Sequence, residues 1–191
     1  MRQRLTVLAA FCAAIVIGVL SYSAHVSATP QNGFTSITLA KGTLGSFELF
    51  NHAFIPNTNG GGNDDGDDQN LWLSLQKTVG PSDLYVQSNT WLGVAPMTRT
   101  IASTGWHSHP GASLIIVTSG TITDYESEDA DCKPQVYKQG MSFVDPGGTH
   151  THMIRNESIA PASAIAVQLI PAGATRRIDA VAAPSNCPNI Q

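Results

Sequence analysis

The stretch GWHSHPGASLIIVTSG, residues 105 to 120, places two histidines two positions apart, directly before a run of apolar and β-branched residues. Successive side chains of an extended segment point to opposite faces, so His107 and His109 share one face. Two neutral imidazoles on one face can chelate a metal ion. The stretch therefore predicts a strand that begins beside a candidate metal site.

The rest of the chain contains short runs typical of β-strands, separated by Gly, Pro, Asn and Asp, without a long amphipathic helical pattern. These runs are TSITLA, SFELF, LWLSLQ, DLYVQSNTWL, SLIIVTS, TITDY, SFVD and SAIAVQLI. Many short strands at this spacing indicate an all-β sandwich or barrel. The chain has 191 residues, no internal repeat and no second compositional regime, so a single domain is expected.

The N-terminus has the three parts of a secretory signal. The basic MRQR is followed by the apolar LTVLAAFCAAIVIGVL and by a small, polar segment that ends at Ala28. This apolar stretch is shorter than the ~20 residues that a membrane-spanning helix needs. We therefore expect cleavage after Ala28, which leaves residues 29–191 as the mature protein in a secreted or periplasmic location. A retained membrane anchor is the alternative.

Charge and cysteine content restrict the partners and the compartment. The formal charge is −4, and it becomes more negative by two when Arg2 and Arg4 leave with the signal. An acidic product without a basic cluster is not expected to bind nucleic acid or, after cleavage, a membrane. Cys132 and Cys187 remain in the mature chain. An even pair in an oxidising compartment predicts one disulfide, with two free thiols as the alternative.

Two segments depart from the strand pattern. NTNGGGNDDGDDQN, residues 57 to 70, has almost nothing to bury and predicts a solvated loop, with calcium binding by its aspartates as the alternative. The C-terminal VAAPSNCPNIQ predicts a tail pinned by Cys187 rather than an element of the core.

A second stretch, GMSFVDPGGTHTHMIRN at 140–156, contains His150, His152 and Asn156. The two stretches together resemble the linked motifs of the cupin superfamily, G-x5-H-x-H-x3-4-E-x6-G and G-x5-P-x-G-x2-H-x3-N. The resemblance covers about residues 83–171 and is closest to small exported bacterial proteins with a type-2 cupin domain. It implies an all-β, single-domain fold, the double-stranded β-helix or jelly-roll cupin barrel, with a divalent metal ion in its mouth.

The resemblance also implies the metal ligands, residue by residue. His107 and His109 match the paired histidines of the first motif. The third histidine is best matched by His152, because His152 keeps the three-residue spacing to Asn156. Counted from the motif proline, however, the chain has one extra residue in the turn. His150, which shares a face with His152 by alternation, is therefore kept as a neighbouring or substitute ligand.

The glutamate of the first motif is absent. The motif places it near residue 113, where this chain has Ser113, and no acid occurs anywhere between Gly105 and Gly120. Three neutral imidazoles favour a divalent transition metal, namely iron, copper, nickel, zinc or manganese, over magnesium or calcium, which prefer oxygen ligands.

Two functions stay open at this point. One is a metal-dependent, dioxygenase-like enzyme acting on a small molecule, for which Asp145 and Glu157 are the nearest acids to serve as a general base. The other is a non-catalytic extracytoplasmic module that binds a sugar or an organic acid and keeps a vestigial metal site. Gln87 and Gln168 are candidates to reach inward in either case. The substrate is not specified by the sequence, and a homodimer is left open.

Overall fold

The computed structural model describes residues 30–54 and 71–190. In these two ranges the chain forms thirteen β-strands and no helix, which confirms the predicted all-β class. None of the described residues forms a helix long and apolar enough to cross a membrane. The predicted signal, residues 1–28, and the predicted loop at 57–70 lie outside the described residues.

In chain order the strands are β1 (Phe34–Leu44), β2 (Glu48–Phe54), β3 (Leu71–Lys77), β4 (Ser82–Trp91), β5 (Ala102–Ser103), β6 (His107–Ser108), β7 (Ser113–Ser119), β8 (Thr121–Glu126), β9 (Gln135–Lys138), β10 (Ser142–Asp145), β11 (His152–Asn156), β12 (Ala162–Pro171) and β13 (Ile178–Asp179). A first sheet has the order β1-β4-β12-β7-β10, and a second has the order β13-β6-β11-β8-β9 with β5 beside β11. Strands β2 and β3 pair as a separate hairpin.

The winding of the chain between the two sheets is that of a jelly roll. From β4 onward, the chain leaves one sheet for the other and returns repeatedly: β4, β7, β10 and β12 belong to the first sheet, and the strands between and after them belong to the second. All pairings are antiparallel. This alternation is how two antiparallel sheets close into one barrel around a common interior.

The main core lies between the two sheets. Burial alternates strictly along β12, as expected for a strand with one face on the core. Trp91 is 1% exposed and packs against Phe34 with ring centroids 4.9 Å apart and the ring planes tilted by 42°. Its indole N–H donates to the carbonyl oxygen of Ile154 on the opposite sheet at 3.3 Å. The barrel is therefore filled by aromatic and small aliphatic side chains at this end.

The outer face of the second sheet is covered by the C-terminal segment. Trp106, Tyr125, Met153 and Cys187 form a second buried cluster there. The Trp106 indole N–H donates to the carbonyl oxygen of Ile190 at 2.9 Å. The segment is pinned by Cys187 as expected, but Cys187 itself is only 1% exposed and belongs to this buried cluster. Large aromatic groups on this face need cover, and the chain end supplies it.

The predicted disulfide is confirmed. Cys132 and Cys187 are bonded, with Cα atoms 5.4 Å apart and a sequence separation of 55. The bond joins the connection after β8 to the C-terminal segment and so closes the second cluster.

Candidate metal centre

Two of the predicted ligands lie where the chain enters and leaves the short strand β6. Gly105 has φ of 68°, a left-handed conformation that suits glycine, and its carbonyl oxygen lies 2.9 Å from Nδ1 of His107. Nδ1 of His109 lies 2.6 Å from the carbonyl oxygen of Arg176. A carbonyl can only accept a hydrogen bond, so both neutral rings carry their proton on Nδ1. Nε2 of each ring is left with a free lone pair.

The third histidine comes from the neighbouring strand of the same sheet. His152 on β11 stands directly opposite His107 in the antiparallel register. Its Nδ1 lies 3.4 Å from Oδ1 of Asp124 on β8, a residue that is 1% exposed. Both ring nitrogens of His152 are buried, and neither makes a hydrogen bond among the described residues. A ring whose Nδ1 faces a carboxylate while Nε2 is free has the orientation that is usual for a metal-ligating histidine.

The three imidazoles converge on one point. Their ring centroids are 4.6 Å apart for His107 and His152, 4.8 Å for His107 and His109, and 6.0 Å for His109 and His152. One nitrogen from each ring lies within 4.8 Å of the other two. All three side chains are buried. The orphaned Nε2 and this set of nitrogen donors fit a divalent transition metal.

Burial and the neighbouring charges act differently on the three rings. Burial, with the nearby His152 and Arg177, holds the pKa of His107 well below its usual value. Burial also lowers the pKa of His109, to about 4. Burial alone lowers the pKa of His152, but the carboxylates around it, Asp124 first, outweigh burial and raise that pKa. The first two rings are thus neutral at pH 7, and the acids behind the third favour positive charge at this point of the cavity.

His150 lies beside the three histidines. Its ring centroid is 5.9 Å from that of His152, and its nitrogens lie 3.8 Å from Glu126 and 3.6 Å from Glu128. One ligand atom each of His150, Asp145 and His152 lie within 4.8 Å of one another. The same holds for His152, His107 and His109. The extra residue in the turn therefore puts His152, not His150, opposite the paired histidines.

The histidines border a small, partly open cavity of about 70 Å³ in the interior of the barrel. Ser113 and both predicted glutamines reach it. Oε1 of Gln87 accepts a hydrogen bond from Nη1 of Arg176 at 2.8 Å, and Nε2 of Gln168 donates to Oγ of Ser113 at 2.9 Å. A molecule of liquid water occupies about 30 Å³, so the space suits a few waters or one small ligand.

Of the two nearest acids, the structure brings only one to the site. Asp145 lines the cavity, with Oδ2 3.9 Å from Nε2 of both His109 and His152. Glu157 lies elsewhere: it accepts a hydrogen bond from the Tyr125 hydroxyl at 2.9 Å and pairs with Arg155. The suggestion that Glu157 serves as a general base at this site is therefore wrong.

Three site residues were missed by the sequence analysis: Asp124, Arg176 and Arg177. Asp124 had a local signal, because an aspartate in the middle of the strand run TITDY is unusual unless it is paired. The two arginines lie in the connection between β12 and β13 and line the cavity. Nothing in their local sequence points to the histidines.

The two motif stretches meet at this cavity from different strands. His107 and His109 come from the first and His152 from the second, and Ser113 lines the same cavity as the motif alignment requires. The barrel winds as a jelly roll around them. The fold is the all-β jelly roll that the resemblance of the two motifs implied. In this barrel the candidate metal centre lies inside, between the two sheets.

No protein-family model and no curated protein matches the sequence. Among solved structures, a cupin superfamily protein from Desulfitobacterium hafniense is 11% identical with a TM-score of 0.40, over 73% of this chain and 80% of that one. A cupin-like protein from Thermotoga maritima is 19% identical with a TM-score of 0.40, over 51% of this chain and 64% of that one. The DMSP lyase from Ruegeria pomeroyi is 16% identical with a TM-score of 0.40, over 50% and 42%. The chain thus spans less than two thirds of the last two structures.

Proposed function

We propose that this protein is an exported cupin-fold metalloprotein that binds one divalent transition-metal ion and uses it on a small organic acid. His107, His109 and His152 hold the ion. The observation that carries this proposal is the common orientation of the three rings. Their Nδ1 atoms face Gly105, Arg176 and Asp124 in turn, while one nitrogen of each ring lies within 4.8 Å of the other two.

This orientation is costly unless an ion is bound. A buried polar atom without a partner loses its hydration, and among the described residues both ring nitrogens of His152 are in this position. Histidines kept only for packing would be expected to direct their free nitrogens to hydrogen-bond donors. Here the donors are absent at Nε2 of His152 among the described residues. The set therefore supports metal binding over a vestigial site.

The charge of the cavity supports an organic acid rather than a sugar as the ligand. The guanidinium of Arg176 donates to the neutral amide of Gln87, and no ion pair among the described residues includes Arg176. A half-buried guanidinium without an acid is a ready partner for a carboxylate, which it can hold through two parallel hydrogen bonds. The small cavity restricts that ligand to a short chain.

The catalytic alternative requires an acid–base group next to the ligand. A bound divalent ion supplies Lewis-acid polarisation of an oxygen atom and, for a redox metal, access to dioxygen. Arg176 orients the carboxylate of the ligand. The metal content of protein purified from its native compartment separates the two alternatives: stoichiometric iron, copper, nickel or manganese supports the dioxygenase-like enzyme, and no metal supports a binding module.

The metal site is tested by titrating metal-free protein with zinc in a calorimeter at one pH and salt concentration. We expect one ion per chain for the wild type. His107→Ala should weaken binding at least about 100-fold, because removal of groups that merely orient ligands already costs roughly 10–100-fold. His52→Ala, on the hairpin strand β2, is the matched control and should bind as the wild type does. Unchanged affinity of the folded His107→Ala protein would refute the site.

The ligand class is tested on the cobalt-loaded protein with a matched pair of probes. Acetate and acetamide have nearly the same size, but only acetate carries a charge. We expect acetate to perturb the cobalt absorption at lower concentration than acetamide, and Arg176→Gln to remove that preference. Equal responses to both probes in the wild type would exclude an organic acid.

We also propose export, with cleavage after Ala28, and assembly as a homodimer. The disulfide supports an oxidising compartment. The outer face of the first sheet supports a dimer: Leu114, Ile116 and Val144 are exposed there, in a shallow groove lined only by uncharged residues. A twofold axis sets the same face of both copies against each other, so an uncharged apolar face is complementary to itself.

A further inference from the structure

Ser113 has an acidic neighbour across the sheet. Strands β7 and β10 are antiparallel, and Ser113 stands directly opposite Asp145 in their register. Directly opposed residues of paired strands point to the same face, so both side chains enter the cavity. The acid that the first motif lacks on β7 is thus present on the next strand of the same sheet.

The carboxylate of Asp145 is held in a fixed orientation. Its Oδ1 accepts a hydrogen bond from the backbone N–H of Gly147 at 2.9 Å. Its Oδ2 lies 3.5 Å from Oγ of Ser113 and 3.9 Å from Nε2 of both His109 and His152. Nε2 of Gln168 in turn donates a hydrogen bond to Oγ of Ser113. One oxygen is therefore anchored to the backbone, and the other faces the imidazoles.

Among the described residues, Asp145 pairs with no permanently charged group, although Arg176 and Arg177 line the same cavity. Asp145 is 2% exposed, and no ion pair among the described residues joins it to a lysine or an arginine. An ionised carboxylate that is removed from water needs an opposite charge or a metal ion close by. The groups within ion-pair distance are imidazoles, which are themselves metal ligands in the proposed function.

We propose that Asp145 is the carboxylate ligand of the metal centre, supplied from β10 in place of the glutamate absent at Ser113. This inference rests on the proposed three-histidine site. The small side chain at position 113 leaves room for the Asp145 carboxylate and contributes a hydroxyl to it. The site then has three nitrogens and one anionic oxygen, a set that suits a divalent transition metal better than nitrogens alone.

The first test compares zinc affinities of metal-free proteins. Asp145→Asn should bind zinc at least about tenfold more weakly, because the charge is lost while the shape is kept. Adding Ser113→Glu to Asp145→Asn should recover affinity, because the acid returns to the same face from β7. Glu157→Gln, at an acid outside the cavity, is the control and should leave the affinity unchanged.

The results separate this inference from the function on which it rests. If Asp145→Asn binds as the wild type does while His107→Ala loses affinity, Asp145 is not a ligand and the three-histidine site stands. If neither variant changes the affinity, the metal site itself is refuted, and the inference with it.

A second variant reports ligation directly and decides the case in which Asp145→Asn fails to fold. Asp145→Cys places a thiolate donor at the same position, and thiolates are good ligands of zinc and cobalt. Cobalt-loaded Asp145→Cys should gain an intense sulfur-to-cobalt charge-transfer band that the wild type lacks. A folded, cobalt-loaded Asp145→Cys protein without that band would overturn the proposal.

Discussion

At the level of single residues, the candidate centre depends on what lies behind each ring. A backbone carbonyl holds Nδ1 of His107 and of His109, whereas a buried carboxylate faces Nδ1 of His152. Backbone acceptors orient a ring at little electrostatic cost. The Asp124 carboxylate adds a negative charge that stabilises a cation beyond the ring. The three ligands are therefore not equivalent, and His152 is the one whose pKa is raised by neighbouring carboxylates.

Asp83 is a buried acid away from the metal centre whose ionisation should govern acid stability. It accepts hydrogen bonds from the Gly173 N–H at 3.0 Å and from the Thr43 hydroxyl at 2.7 Å, and it pairs with Lys41 at 2.9 Å. These contacts, the Gly173 N–H first, lower the pKa of Asp83 to about 2. The unfolded chain takes up this proton near the ordinary pKa, and the folded protein only at lower pH.

We therefore expect Asp83 to stabilise the fold above pH 4 and to lose that effect as the pH falls toward 2. Melting temperatures of wild type and Asp83→Asn, measured across this range, check the sign. The variant should melt lower at pH 7, and the two curves should approach each other near pH 2. A constant difference between the two proteins at all pH values would contradict the assignment.

At the level of strands, the sequence pattern identified β12, in which burial alternates, and missed β11, which is buried on both faces. The run SAIAVQLI alternates and lies in β12, in which buried and half-buried positions also alternate. All five residues of β11, HMIRN, are buried. Its inward side faces the cavity and core, and its outward side lies under the C-terminal segment. Burial on both faces removes the alternation by which such a strand is recognised.

The turn between β10 and β11 should tolerate substitution at one glycine and not at its neighbour. Gly147 and Gly148 have φ of 69° and 71°, so alanine is strained at both. Only at Gly147 would a Cβ meet backbone, 2.3 Å from the carbonyl oxygen of Gly111; at Gly148 the space is open.

Gly148→Ala should therefore cost about 1–2 kcal/mol of unfolding free energy, and Gly147→Ala clearly more. Urea denaturation of both variants gives the comparison. Because the backbone strain is nearly the same, the difference measures the collision with Gly111. Equal losses would show that the turn moves away from Gly111 without cost.

At the level of the whole molecule, the disulfide should account for a large part of the stability of the second cluster. It closes a loop of 55 positions, for which the chain-entropy model gives about 4 kcal/mol. Replacing Cys132 and Cys187 together by serine should lower the unfolding free energy by roughly that amount, as should reduction of the wild type. An unchanged unfolding curve for the double variant would contradict a structural role for the bond.

The proposed dimer predicts the molecular mass in solution. Light scattering should give twice the chain mass for the wild type, and Ile116→Lys should give a monomer, because a buried lysine without a partner is costly. Leu75→Lys is the matched control, since Leu75 is also an exposed aliphatic residue but lies on the hairpin strand β3. A monomeric wild type, or an unaffected Ile116→Lys dimer, would refute this interface.

The all-β class, the shared face of His107 and His109, and the disulfide follow from local patterns and counts. Strand alternation, punctuation by turn residues and an even number of cysteines are properties of short segments or of composition. They can be recognised without knowing which strands pair. The spacing between His152 and Asn156 likewise selected the histidine that faces the other two.

The acid opposite Ser113, the arginines at the cavity and the cover over β11 follow from pairings between distant segments. Asp145 meets Ser113 only because β7 and β10 are neighbours in one register, 32 positions apart in sequence. Arg176 reaches His109 across 67 positions. Register depends on which faces the closed barrel buries, and a shift of one residue would turn Asp145 out of the cavity. The composition of the candidate centre is therefore a property of the folded barrel, in which a carboxylate missing from one strand is supplied by the next.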